Sequence, residues 1–105
     1  MLPHERITAA IRTGARAGDP ALVAFLTAGY PRRERFRAQL AEVAAGADVV
    51  ETGVPLSDPI TDGLTIQRSS RAALSQGVTL RWIFDGVAAL PPQRAPLLLM
   101  SYLNP

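Results

Sequence analysis

Three acidic residues, two of them in one loop, are the part of the sequence best suited to chemistry. Glu51 lies in a valine-rich segment, and Asp58 and Asp62 follow it in a stretch rich in proline, serine and glycine. An acid within an apolar strand loses solvation, so it needs either a partner or a task. A carboxyl group near the end of such a strand suits general acid–base catalysis. We therefore predict that Glu51 is a catalytic acid or base.

The two aspartates admit other roles. Asp58 precedes Pro59 and Asp62 precedes Gly63, and both pairs are common in turns because an aspartate side chain bonds its own backbone. Clustered acids can also hold Mg²⁺, but no histidine lies near them and the chain has no lysine to hold a phosphate. A glycosidase-type carboxylate pair normally comes from separate strands. The pattern alone leaves structural and catalytic roles open for both aspartates and predicts no metal site.

Several other kinds of site lack their defining residues. The sequence contains no G-x-G-x-x-G, no G-x-x-x-x-G-K and no G-x-S-x-G, which argues against dinucleotide, P-loop and nucleophile-elbow sites. It also has no cysteine, which excludes disulfides and thiolate metal sites. His4 is the only histidine, and near the start of a terminal helix we interpret it as a solvated surface residue.

Composition and charge narrow the partners. The 105 residues are 48% hydrophobic and 19% charged, which is typical of a globular domain. All eleven basic residues are arginines, and the net charge of +2 is too small for a nucleic-acid surface. The densest basic cluster, Arg32 to Arg37, is diluted by Glu34 and Glu42 and suggests a solvated helix face.

The apolar segments are short. Ala21–Ala28 and Leu97–Met100 are the longest, far below the ~20 residues that cross a bilayer, so no membrane span is expected. Arginines near the N-terminus are a feature of transit peptides, but Glu5 and Asp19 count against one. We expect a cytoplasmic protein.

The apolar pattern alternates between strand-like and helix-like segments. Continuous apolar runs predict strands buried on both faces, and spacings of three and four predict helices. Strand, helix, strand, helix, strand is the pattern of right-handed parallel β/α units, in the α/β class. The predicted strands are Ala21–Ala28, Asp48–Val54 and Leu97–Leu103. The predicted helices run from Pro3 to about Ala17, from Pro31 to Gly46, over Leu64–Ser75 with Gly77 after it, and from Thr79 with Ile83, Phe84, Val87 and Leu90 facing the core.

The ordered motifs of the chain resemble one family. Phe25–Pro31, Ala45–Glu51 and the loop Gly53–Gly63 are similar to the first strands and the signature loop of tryptophan synthase alpha chains. Gly77–Thr79 and Leu99–Pro105 continue the resemblance in the same order. It implies a partial TIM (β/α)8 barrel, with residues 1–105 forming the N-terminal part of a single, incomplete domain that holds about the first three parallel strands.

The resemblance also implies a reaction, the retro-aldol cleavage of indole-3-glycerol phosphate to indole and glyceraldehyde 3-phosphate. Glu51 matches the acid that protonates the indole ring at C3, and Asp62 matches the carboxylate that binds the indole N–H and stabilises its positive charge. Phe25 and Met100 match positions lining the indole pocket, and Tyr102 matches a residue near the catalytic acid. The alpha chain of this family uses no cofactor.

The same resemblance implies a partner, the PLP-dependent beta chain, in an α2β2 complex. The positions that match its contact surface are Pro55, Asp58, Pro59 and Asn104. The sequence departs from the family at Leu56, where phenylalanine is common, and this weakens the contact because an aromatic anchor contributes more. Thr52, Thr61 and Ala24 are further departures that leave both acids in place.

The sequence is too short for a complete barrel. A barrel of this type takes about 250 residues, so we expect a polypeptide of these 105 residues to be a fragment with little lyase activity of its own. Three parallel strands would also leave two unpaired edges. The alternative is a short non-catalytic paralogue that binds the beta chain as an interaction module. Such a module would tolerate Glu51→Gln, whereas the enzyme would not.

Overall fold

The computed structural model describes residues 2–15, 18–55 and 63–101, and in these ranges helices alternate with three strands. In chain order they are α1 (Pro3–Ala15), β1 (Val23–Thr27), a short 3-10 helix (Arg33–Arg35), α2 (Phe36–Gly46), β2 (Val49–Gly53), α3 (Leu64–Ser75), α4 (Leu80–Ala88) and β3 (Leu97–Met100).

The three strands form a parallel sheet in the order β1-β2-β3, with β2 in the centre. Glu51 pairs with Phe25 on one side and with Leu98 on the other. Side chains at paired positions of parallel strands point to the same face. Phe25, Glu51 and Leu98 therefore share one face, which we call the inner face.

The hydrophobic core lies between the opposite face of the sheet and the helices. Val50 of the sheet is fully buried there, and Phe36 of α2 stacks at a tilt on Trp82 of α4 with ring centroids 5.1 Å apart. Ala24, Leu26 and Leu97 pack against this cluster from the strands. Its buried members are Ala28, Phe36, Leu40, Ala44, Ala47, Val50, Ala73, Val78, Ile83 and Ala95.

The inner face is open, so the prediction that β1 and β3 are buried on both faces is wrong for this chain. Val23 and Met100 are 42% and 41% exposed, and Phe25 and Leu98 are 37% and 38% exposed. The apolar runs are those of a strand covered on two sides, but in the described part of the chain the helices cover only the face toward the core, and there Leu99 is still 37% exposed.

The helices follow the predicted pattern with two exceptions. Thr79 caps α4 as predicted, because its Oγ1 accepts a hydrogen bond from the Trp82 N–H at 3.1 Å.

Phe84 was predicted to be in the core but is 52% exposed. Ile83 is the residue that points inward, and Val87 and Leu90 follow it at helical spacing. Pro31 lies before the first helical residue, Arg33, and not in the first turn.

Within the described ranges, no helix is both long and apolar enough to cross a membrane.

Candidate active site on the inner face of the sheet

Glu51 occupies the middle of the central strand, on the open face. Val49 and Val50 before it are buried, and the paired strands on both sides fix its backbone. Its side chain is half-buried. Among the described residues, none forms a hydrogen bond or ion pair with the Glu51 carboxylate. The strand therefore holds the acid in position on the inner face.

Two of the predicted pocket residues lie on the same face as Glu51. Phe25 is its register partner in β1, and Met100 is the register partner of Gly53, two residues beyond Glu51 in β2. Both side chains are partly exposed. An acid with apolar side chains on its two neighbouring strands can contact the face of a planar apolar ring while a proton is transferred.

The remaining predicted site residues fall outside the described ranges. These are Asp58, Pro59, Asp62, Tyr102 and Asn104, and their assignments stay predictions. The chain on either side of the acidic loop is described. Val54 donates its N–H to the carbonyl oxygen of Met100 at 3.0 Å, and Gly63 is the N-cap of α3. The loop thus starts at the carboxyl end of β2, next to β3.

Pro55, predicted to contact a partner, is buried. Its side chain offers little surface to another chain. A role of Pro55 in partner binding would therefore be to position the loop that follows it. The assignment of Pro55 to the interface stays a prediction.

A buried pair of hydroxyls that the sequence analysis missed joins β1 to α3. The Oγ atoms of Thr27 and Ser69 are 2.7 Å apart, and Ser69 donates to the carbonyl oxygen of Ile66 at 3.0 Å. Since Ser69 has a single hydroxyl proton, Thr27 is the donor between the two hydroxyls. Forty-two residues separate them, and no local sequence pattern indicates such a contact.

Gln76, also missed, ties the segment after β1 to the end of α3. Its amide nitrogen donates to the carbonyl oxygens of Pro31 at 2.9 Å and Ala72 at 3.0 Å. Its side-chain oxygen accepts the N–H of Arg33 at 2.9 Å. Gln76 thus fixes a loop that leaves the same edge of the sheet as the acidic loop.

Two cavities in the described part of the chain lie away from Glu51. They have volumes of about 330 and 390 Å³ and are lined by residues of α1, α2 and α4 and of the segment before β3, and Glu51 lines neither of them. In the part of the chain that is described, no three histidine, cysteine or acidic side chains come together as metal ligands would.

Three parallel strands with helices packed on the outer side form a partial TIM (β/α)8 barrel, and in barrels of this class the carboxyl ends of the strands carry the active site. Residues 12–105 match the family model described as tryptophan synthase alpha chain. The chain belongs to this family.

Curated relatives agree with the family. The tryptophan synthase alpha chain of Nitratidesulfovibrio vulgaris is 54% identical over 102 residues, which cover 95% of this chain and 40% of the relative. The tryptophan synthase alpha chain of Xanthomonas campestris pv. campestris is 43% identical over 104 residues, which cover 38% of its length. The chain thus spans about two fifths of the length of these relatives.

Solved structures agree in fold. Tryptophan synthase from M. tuberculosis in its aminoacrylate-bound form superimposes with a TM-score of 0.82 at 35% identity, over 94% of this chain and 41% of that one. The alpha subunit from Legionella pneumophila gives a TM-score of 0.79 at 30% identity, over 93% of this chain and 38% of that one.

Proposed function

We propose that this chain supplies the N-terminal part of a tryptophan synthase alpha active site, a lyase of L-tryptophan biosynthesis. The reaction is the retro-aldol cleavage of indole-3-glycerol phosphate to indole and glyceraldehyde 3-phosphate. The observation that supports it most is the position of Glu51 on the inner face of the central strand, between Phe25 and Leu98, in a chain of this family.

In the proposed reaction Glu51 donates a proton to C3 of the indole ring. The bond from C3 to the hydroxyl-bearing carbon of the glycerol then breaks, and its electrons return to the ring. That hydroxyl loses its proton, through Glu51, as its carbon becomes the aldehyde of glyceraldehyde 3-phosphate. Asp62 accepts the indole N–H and stabilises the positive charge that protonation at C3 places on the ring nitrogen.

The remaining predicted residues complete the proposed pocket. Phe25 and Met100 contact the indole ring, where apolar surface is all that is needed, and Tyr102 lies near the acid. The proposal involves no metal and no cofactor on this chain.

A beta chain carrying PLP is the proposed partner, in an α2β2 assembly, in the cytoplasm. Asp58, Pro59 and Asn104 would contact it, with Pro55 positioning the loop. The short non-catalytic paralogue gains no support from the relatives described above, which bear the name of the alpha chain. We therefore propose the enzyme and no second function.

The test uses a complete barrel. The matching part of the Nitratidesulfovibrio vulgaris alpha chain is replaced by the sequence of this chain, and indole release from indole-3-glycerol phosphate is measured. We expect turnover, and a loss of about 10²–10⁴-fold in kcat for Glu51→Gln, because the proton donor is removed.

The matched control is Glu42→Gln. Glu42 lies on α2 with its side chain 70% exposed and 3.6 Å from Arg35, so this change should leave turnover unaltered. Full turnover by the Glu51→Gln barrel would refute the assignment of Glu51.

A further inference from the structure

Gly53 stands where the inner face of β2 reaches its carboxyl end. It is buried, it lies two residues beyond Glu51 on the same face, and it pairs with Thr27 and Met100. The backbone of Gly53 is not among the positive-φ glycines. Other residues could adopt its conformation, so the reason for a glycine here is space.

The aromatic ring of Phe25 fills that space. A Cβ atom built on Gly53 would lie 2.6 Å from Cζ and 2.8 Å from Cε2 of Phe25. Real Cβ atoms essentially never approach another heavy atom so closely. The Phe25 ring therefore extends from β1 over β2 and occupies the space that a side chain at position 53 would need.

We infer that Gly53 is a specificity-determining residue, an inference that rests on the proposed function. The absence of a side chain lets the Phe25 ring reach over position 53 of β2, and this sets the depth of the apolar pocket available to the indole ring. A methyl group at position 53 would push the Phe25 ring outward, into the volume that the indole ring needs.

A second substitution, at Phe25, tests whether its ring is the reason for the glycine. Leucine has no atoms equivalent to Cζ and Cε2, so Phe25→Leu removes the contact while keeping an apolar side chain. Gly53→Ala should therefore be harmful beside phenylalanine and tolerated beside leucine. A requirement for glycine set by the backbone of β2 would not depend on residue 25. A requirement set only by packing against Phe25 would change the stability of the barrel and leave its affinity for indole unaltered.

The experiment measures calorimetric indole binding and indole release in the complete barrel described above. Gly53→Ala should weaken indole binding and raise KM by about tenfold or more, the effect of one methyl group in a tight apolar pocket, with a smaller change in kcat. In the Phe25→Leu background, Gly53→Ala should change both quantities less than about twofold. Gly46→Ala is the matched control, because nothing lies within 4 Å of its added methyl group.

Indole binding separates this inference from the proposed function. A barrel that binds indole with the expected Gly53 dependence but releases none from indole-3-glycerol phosphate would refute the proposed function alone. Equal indole affinities for the parent and Gly53→Ala would overturn the inference, and so would an equal loss in both backgrounds. If Gly53→Ala fails to fold beside phenylalanine, the same failure beside leucine also overturns it.

Discussion

Asp48 shows how a single side chain joins segments that are distant in the sequence. Its Oδ2 accepts the N–H of Leu22 at 2.7 Å, which links the start of β1 to the start of β2. Gly14 of α1 lies directly against this carboxylate, and its contacts explain a glycine in the last turns of a helix. In the sequence this glycine only weakens the helical pattern. Its partner is 34 positions away, so the spacing of residues could not predict the contact.

We expect Gly14→Ala to destabilise the protein. The added methyl group would lie 2.6 Å from Cγ and 2.7 Å from Oδ2 of Asp48, and overpacking of this kind costs about 1–3 kcal/mol. Urea unfolding of the complete barrel measures the change in the free energy of unfolding. Gly46→Ala, at the open last residue of α2, should instead change the free energy of unfolding by less than about 0.5 kcal/mol. Equal effects of the two changes would contradict the close contact between Gly14 and Asp48.

At the scale of elements, strand and helix types follow from the sequence, but their boundaries and exposed faces follow only in part. α3 has the predicted bounds, Gly77 follows its end with a positive φ, and Thr79 caps the start of α4, as the chemistry of both residues predicts. Phe84 was assigned to the core because Ile83 and Phe84 are both apolar, and periodicity alone does not say which of two neighbours points inward. The loops between elements are held by contacts of long range, which leave no periodic signal.

We expect the loss of the Gln76 side-chain amide to loosen the loop after β1. Gln76→Leu removes the donor and acceptor that hold the backbone of Pro31 and Arg33, so the free energy of unfolding should fall by about 1–3 kcal/mol. Amide hydrogen exchange should accelerate at Arg33, whose N–H loses its acceptor. Gln93→Leu is the control, because among the described residues the Gln93 side chain bonds only the nearby carbonyl oxygen of Pro91. Unchanged exchange at Arg33 would contradict the proposed role of Gln76.

At the scale of the whole molecule, the parallel sheet places Glu51 on the inner face, and the chemistry that the motifs imply for that face stays a prediction. Glu51 could be singled out from the sequence because an acid in an apolar strand is unusual. The exposure of Phe25 and Met100 could not be predicted from the sequence, because it depends on what covers the inner face. Asp62, outside the described residues, is assigned through the resemblance of its loop to the family.

A crystal structure of the complete barrel with bound indole-3-glycerol phosphate, determined with the Glu51→Gln variant to prevent turnover, tests the central claim most directly. We predict that the side chain of residue 51 lies against C3 of the indole ring. The Asp62 carboxylate should accept the indole N–H from the same cavity at about 2.9 Å. A ligand bound away from the inner face, or an Asp62 carboxylate that does not reach this cavity, would contradict the account.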